Sequence, residues 1–218
     1  MRKLWLTFTA MLLCSIASFA QFGGGTGSPT DPYLISDTAH FKAIATQSTS
    51  GKYFKLTTDL IFGERTSTII SDFSGTFDGG NHTITYSGTF NATDNAKIGL
   101  FGTNSGKITN LNIYANITVG GNGEKVKIGL LCGENTGTIT FCDVVGNINS
   151  TVSTNTTGNA STGLIIGNNK KTLQYCTGHG NVTGAGYVGG LVGSMGTIME
   201  QDLSLIHISE PTRRYAIS

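Results

Sequence analysis

The chain has almost no surplus charge, no H-E-x-x-H, and no apolar run of membrane-spanning length after its first twenty positions. Each lack closes a class of function. Lys and Arg number 14 against 13 Asp and Glu. Setting aside Arg2, Lys3, Arg213, Arg214 and Glu210, which belong to the two ends discussed below, leaves 10 basic residues against 12 acidic ones, a net of −2. A nucleic-acid binder needs a basic face to neutralise phosphates, so no nucleic-acid partner is expected. A membrane helix needs about 20 uninterrupted apolar residues, so no membrane span is expected in the mature chain. A zinc site needs converging ligands, and His40, His82 and His179 are scattered without spaced partners. Beyond residue 20 the cysteines are Cys132, Cys142 and Cys176, an odd number that gives no disulfide framework.

Catalytic carboxylates are equally scarce. Glycoside hydrolysis usually takes two carboxylates about 5 to 9.5 Å apart on one face. Glu134 and Asp143 fall in one repeat and Asp78 in an earlier turn, and their columns neither repeat nor pair. His82 beside Asp78 is the best remaining couple, and it reads as a turn stabiliser. No catalytic, cofactor-binding or metal-binding residue is therefore assigned. No cofactor is expected, and the chain reads as a non-enzyme.

The ends differ from the middle. "MRKLWLTFTAMLLCSIASFA" carries Arg2 and Lys3, an apolar run from Leu4, and small residues around a cut after Ala20, the pattern of a Sec-type signal peptide. Thr7, Thr9 and Ser15 interrupt the run, which excludes a membrane anchor, and Leu13 before Cys14 is larger than a lipidation site usually carries. At the other end, Leu203 to Arg213 resembles the in-frame translation of a transposase sequencing adapter, with Ile217-Ser218 matching its continuation. Residues 203–218 are expected to be read-through and carry no weight in the fold, so the chain is read as an N-terminal fragment.

Between the ends one unit recurs. "IGLFGTNSGKITNLNIYANI" begins at Ile98, "IGLLCGENTGTITFCDVVGNI" at Ile128, "TGLIIGNNKKTLQYCTGHGNV" at Thr162 and "VGGLVGSMGTI" at Val188. Aligning them places Gly106, Gly137 and Lys171 in one column. Ile108, Ile139 and Leu173 form a second, Leu111, Cys142 and Cys176 a third, and Ile117, Ile148 and Val182 a fourth. A repeat of thirty-odd residues suits either a helical or a β-solenoid. Composition decides: 31 glycines with abundant Thr, Ile, Val and Asn penalise helices, suit pleated strands and supply left-handed corners. The two isoleucine columns should stack as apolar ladders about 4.8 Å apart inside the coil. One turn cannot bury its own face, which is why the unit repeats. Cys142 and Cys176 should form a reduced inward ladder, since parallel Cβ vectors suit a bridge poorly.

Upstream, Ser36 or Asp37 can cap a helix whose apolar face is Phe41, Ile44 and Ala45, covering the solenoid's open end. Asp78-Gly79-Gly80-Asn81 reads as a turn between strands. Sequons at Asn81, Asn91, Asn116, Asn149, Asn155, Asn159 and Asn181 follow from composition, and no modification is assigned. Asn149 to Thr162 reads as a polar insert leaving the coil.

The Gly-Leu-Phe-Gly, Gly-Leu-Leu-Cys-Gly, Gly-Leu-Ile-Ile-Gly and Gly-Gly-Leu-Val-Gly openings resemble the GLUG repeat of bacterial secreted and surface proteins. The resemblance covers about residues 98 to 201. Leu111 departs from it at the cysteine column, and Val144 to Gly146 at the close of the unit. It implies an all-β, right-handed parallel β-helix with a short N-terminal capping helix. The expected organisation is a signal peptide (1–20), a cap with the first coils (21–97), GLUG-like repeats with the last one truncated (98–202), and the adapter tail (203–218). The expected role is a secreted or bacterial cell-surface scaffold that is adhesin-like, with a glycan or a host or neighbour surface protein as partner. The alternative is an accessory module of a larger exported metalloprotease or glycan-active enzyme.

Overall fold

The computed structural model describes residues 21–153, 160–184 and 186–196. The leader, the tail, Asn155 and Asn159 lie outside the described residues. From Thr76–Asp78 the chain runs through Thr83–Ala92, Lys97–Ile98 and Phe101–Asn104, then returns at Lys107–Thr109 beside its start. Each later turn repeats that circuit, and the strands stack into four parallel sheets. The result is a parallel β-solenoid. Sheet 1 holds Tyr33–Ile35, Tyr53–Leu56, Thr76–Asp78, Lys107–Thr109, Thr138–Thr140 and Thr172–Gln174. Sheet 2, the long sheet, holds Leu60–Arg65, Thr83–Ala92, Asn112–Gly121, Asp143–Ser150 and Thr177–Thr183. Sheet 3 holds Lys97–Ile98, Lys127–Ile128, Ser161–Gly163 and Tyr187–Gly189. Sheet 4 holds Ile70–Phe73, Phe101–Asn104, Cys132–Asn135, Ile166–Asn169 and Val192–Met195.

The expected columns are the observed ones. Ile108 pairs with Ile139 and Ile139 with Leu173, and all three are fully buried. Ile117 pairs with Ile148 and Ile148 with Val182, the last partly exposed. Period-two alternation sends Ile113, Ala115, Ile117 and Val119 inward from one strand while Asn112, Asn116 and Thr118 face out. Parallel in-register stacking then turns each inward position into a continuous apolar ladder, and that burial drives the fold.

The recurrent Gly-Leu segments have a steric origin. They carry the chain from sheet 3 into sheet 4 through a reversal in which the two backbones nearly touch. A Cβ on Gly99 would lie 2.5 Å from the Gly129 carbonyl oxygen, and one on Gly129 equally close to the Cys132 oxygen. The second glycine of the later segments faces sheet 3 itself: a Cβ on Gly133 would lie 2.8 Å from Lys97 Cα and 2.9 Å from Ile98 N, whereas one on Gly102 in the first segment would meet Ser71 of sheet 4. Leu100, Leu130 and Leu164, between the glycines, are buried.

The N-terminal end is closed as the sequence suggests, with one correction. Asp37 caps the helix Thr38–Ala43 by accepting from the His40 amide at 2.7 Å. Phe41 and Ile44 are fully buried, but Ala45 is exposed. The helix tightens to a 3₁₀ turn at Ile44–Thr46, which rotates Ala45 off the apolar face. The Phe41 ring meets Phe62, Phe77 and Phe101 edge-on, at centroid separations of 5.5, 5.7 and 5.9 Å. These rings come from sheets 2, 1 and 4, so one side chain plugs the coil's mouth.

A second ladder is polar. Asn104, Asn135 and Asn169 are buried in register on sheet 4. Asn104 Nδ2 donates to Asn135 Oδ1 at 2.8 Å, and Asn135 Nδ2 to Asn169 Oδ1 at 2.7 Å. The column runs from Phe73 to Met195. The insert is also shorter than Asn149 to Thr162 suggests. Asn149 and Ser150 still pair with Thr118 and Val119, and Ser161 with Lys127, so coil structure claims both ends of that stretch. Only the difference between steps of 31 and 34 residues is extra chain.

Candidate binding surface

The outer face of the long sheet is an array of amides and hydroxyls. An Asn-x-Thr triplet in a strand puts both polar side chains on one side, about 6.6 Å apart, and stacking repeats the pair at about 4.8 Å. The sequons at Asn116, Asn149 and Asn181 sit here, with Thr118, Thr151 and Thr183 beside them, all exposed. Asn147 Nδ2 donates to Asn116 Oδ1 at 2.7 Å, and Asn147 Oδ1 accepts from the Asn181 side-chain amide at 3.0 Å. Thr183 donates to Asn149 Oδ1 at 3.0 Å. A shallow groove of about 300 Å³ runs along these side chains, past the strand positions of Ile117 and Ile148, whose side chains point into the coil.

Upstream along the same strands the corner from sheet 1 carries an unusual pair. Phe141 and Tyr175 are 55% and 54% exposed, their rings stacked at 4.9 Å and 12°. Both residues, and Asn110 before them in the column, hold left-handed backbone angles with φ of 55°, 55° and 53°. Asn adopts that region readily, whereas an aromatic side chain pays about 1–2 kcal/mol for it. Two large rings, more than half exposed, are held on a backbone that costs stability, and strain of this kind clusters at functional sites. Tyr114, half exposed, and His179, exposed, lie between the rings and the groove.

The carboxylates weighed from sequence are kept apart. Asp78 Oδ1 accepts from the Gly80 amide and from Asn110 Nδ2, both at 3.0 Å, the turn role expected of it. His82, however, pairs with Asp59 at 3.2 Å rather than with Asp78. The Thr83 amide and His82 hold the Asp59 carboxyl below its ordinary range. Asp143 accepts from the Thr177 hydroxyl. Glu134 lies on another sheet, where Lys97, Lys127 and Lys170 surround its buried carboxylate. His40 serves the helix start beside Ser36 and Asp37.

Cys132, Cys142 and Cys176 are buried and free. Cys142 donates to the Thr140 carbonyl and Cys176 to that of Gln174. The Cys142 thiol is pushed up, first by its hydrogen bond with Cys176 and then by burial. Among the described residues no helix is long and apolar enough to cross a membrane. Comparison of the chain with protein-family models, curated proteins and solved structures finds no match.

Proposed function

We propose that this chain is a non-catalytic solenoid scaffold, exported to the bacterial surface or medium, that binds glycan along the outer face of its long sheet. The observation that carries the reading is the pairing of an uncharged Asn/Thr groove with the solvent-facing Phe141–Tyr175 stack at the corner that leads into the same strands. Amide side chains offer a donor and an acceptor side by side, which suits the vicinal hydroxyls of a sugar. An aromatic face gives the apolar side of a sugar ring a flat surface at small entropy cost. The ring stack sits at the corner that leads into the strand, and from Asp143 to Asn147 the strand itself runs about 13 Å, so the surface fits a chain of several sugars rather than one. The rigid, in-register coil presents these groups without having to order them on binding. The signal-like leader and the resemblance to GLUG repeats support the exported, surface-associated setting.

A glycan array probed with the purified chain tests the proposal. Binding to neutral polysaccharide is expected, with Asn147→Ala and Tyr175→Ala each weakening it by about tenfold or more. Silence across all glycans, or binding indifferent to both substitutions, would overturn the reading.

A further inference from the structure

A second built site lies between sheets 3 and 4. Glu134 has only 6% of its side chain exposed, and three ammonium groups close on its two oxygens. Lys97 reaches Oε2 at 2.8 Å, while Lys127 and Lys170 share Oε1 at 2.7 and 2.6 Å. Gly133 makes this possible, since only its missing side chain lets sheet 4 come so close to Lys97 and Ile98. Burial opposes the charge on Glu134, but hydrogen bonds from Lys127, Lys170 and Lys97 outweigh it and bring its pKa to about 2.

One lysine neutralises one carboxylate, and here there are three. The cluster holds two positive charges more than its own carboxylate needs. Lys97 gives a further hydrogen bond to Thr103 Oγ1 at 3.0 Å, and among the described residues none of the three lysines makes an ion pair with another carboxylate. The nearest acidic side chain in the same column is the exposed Asp72. It is two strands from Glu134 and makes no ion pair among the described residues. On the other side Asn168 is in register with Glu134, and its buried Oδ1 has no hydrogen-bond partner. Turned over, the same amide offers Nδ2 as a fourth donor.

From this geometry we infer an oxyanion site: Lys97, Lys127 and Lys170, aided by Asn168, bind a tetrahedral oxyanion, sulfate or phosphate, as the free dianion or as an ester. The three ammonium groups gather at the two oxygens of Glu134, and the hydrogens they do not give to that carboxylate can turn to the oxygens of such an anion, whose charge offsets part or all of the excess. Lys170, 47% exposed, forms the mouth. The site shares no residue with the long-sheet groove, so it stands or falls independently of the glycan reading.

The test is a titration of the purified chain with sodium sulfate and sodium phosphate, against sodium chloride at equal ionic strength, followed by amide NMR shifts and calorimetry. Saturable shifts confined to residues near 97, 127, 134 and 168 are expected with sulfate and phosphate but not with chloride. Lys170→Ala should weaken binding about tenfold. Glu134→Gln, which removes the competing carboxylate, should tighten it about tenfold. A sulfated polysaccharide run in parallel identifies the source: competition with inorganic sulfate marks an ester site, and its absence a site for the free ion. Identical responses to sulfate and chloride would overturn the inference, as would a folded Lys170→Ala variant that binds sulfate like the parent.

Discussion

Asn104 donates its side-chain amide to Asn135 Oδ1 at 2.8 Å in a space from which both residues exclude water. The same Asn135 oxygen accepts from the Gly137 amide at 3.2 Å. Its Nδ2 serves Asn169 Oδ1 at 2.7 Å and the Thr172 carbonyl at 3.1 Å. A buried amide with every lone pair and hydrogen engaged fixes the turn between sheets 4 and 1 and sets the register of neighbouring coils at once.

Asn135→Ala should therefore be the most damaging polar substitution in the coil. It orphans the Asn169 oxygen below and the Gly137 amide beside it and leaves the Asn104 amide only its 3.5 Å contacts with the Gly106 and Thr138 carbonyls, at about 1–3 kcal/mol for each buried group. A loss of about 3–5 kcal/mol by urea unfolding is expected. Asn169→Ala, at the end of the asparagine ladder, should lose less.

Gly133→Ala tests the reason for the Gly-Leu openings. The added methyl meets main-chain atoms of Lys97 and Ile98 at 2.8 and 2.9 Å, and neither can move without breaking sheet 3. A loss of about 2–3 kcal/mol is expected. Gly63, also in a strand, has open space around its missing Cβ and no left-handed φ. Gly63→Ala should be neutral or raise stability by up to about 1 kcal/mol. Melting temperatures of the two variants decide the matter. Equal effects would mean that the openings are glycine-rich for flexibility rather than for close approach.

The apolar ladders were legible in the sequence because register follows a nearly constant step, so Ile108, Ile139 and Leu173 could be aligned without coordinates. Asn104 and Asn135 obey the same step, each followed two residues later by glycine, but Asn-x-Gly also signals an exposed corner. Nothing local distinguishes an asparagine that points inward. Lys97 and Lys170 meet Glu134 from neighbouring coils, across two sheets that differ in direction and spacing. No single-strand pattern encodes that meeting, and three lysines read as isolated solvated charges. The outer Asn/Thr face was visible only as a surplus of sequons, since alternation gives the triplet but not the stacking of triplets from successive turns.

Glu134 gives the fold a distinct acid limit. Its carboxyl is near 4.5 when unfolded and is lowered to about 2 in the fold. A depressed folded value contributes stability that is fully present above about pH 4.5 and drains away as the pH falls toward 2. The difference corresponds to about 3 kcal/mol at neutral pH. Unfolding free energies measured across that window should fall steeply for the parent chain and much less for Glu134→Gln. Parallel curves would show that the lysines do not hold the carboxylate charged.

Phe141→Asn separates binding from stability. Asn110 already occupies the same column at nearly the same φ, 53° against 55°, so the left-handed backbone accepts asparagine. The substitution relieves about 1–2 kcal/mol of backbone cost. It forfeits the stack on Tyr175, worth about 0.5–1.5 kcal/mol. These terms nearly cancel because the Phe141 ring is more than half exposed and fills no core space. Unfolding free energy should stay within about 1 kcal/mol of the parent, whereas glycan binding should fall by about tenfold or more. A variant that loses stability while keeping its glycan affinity would make the aromatic pair a packing element and leave the long sheet without its stacking platform.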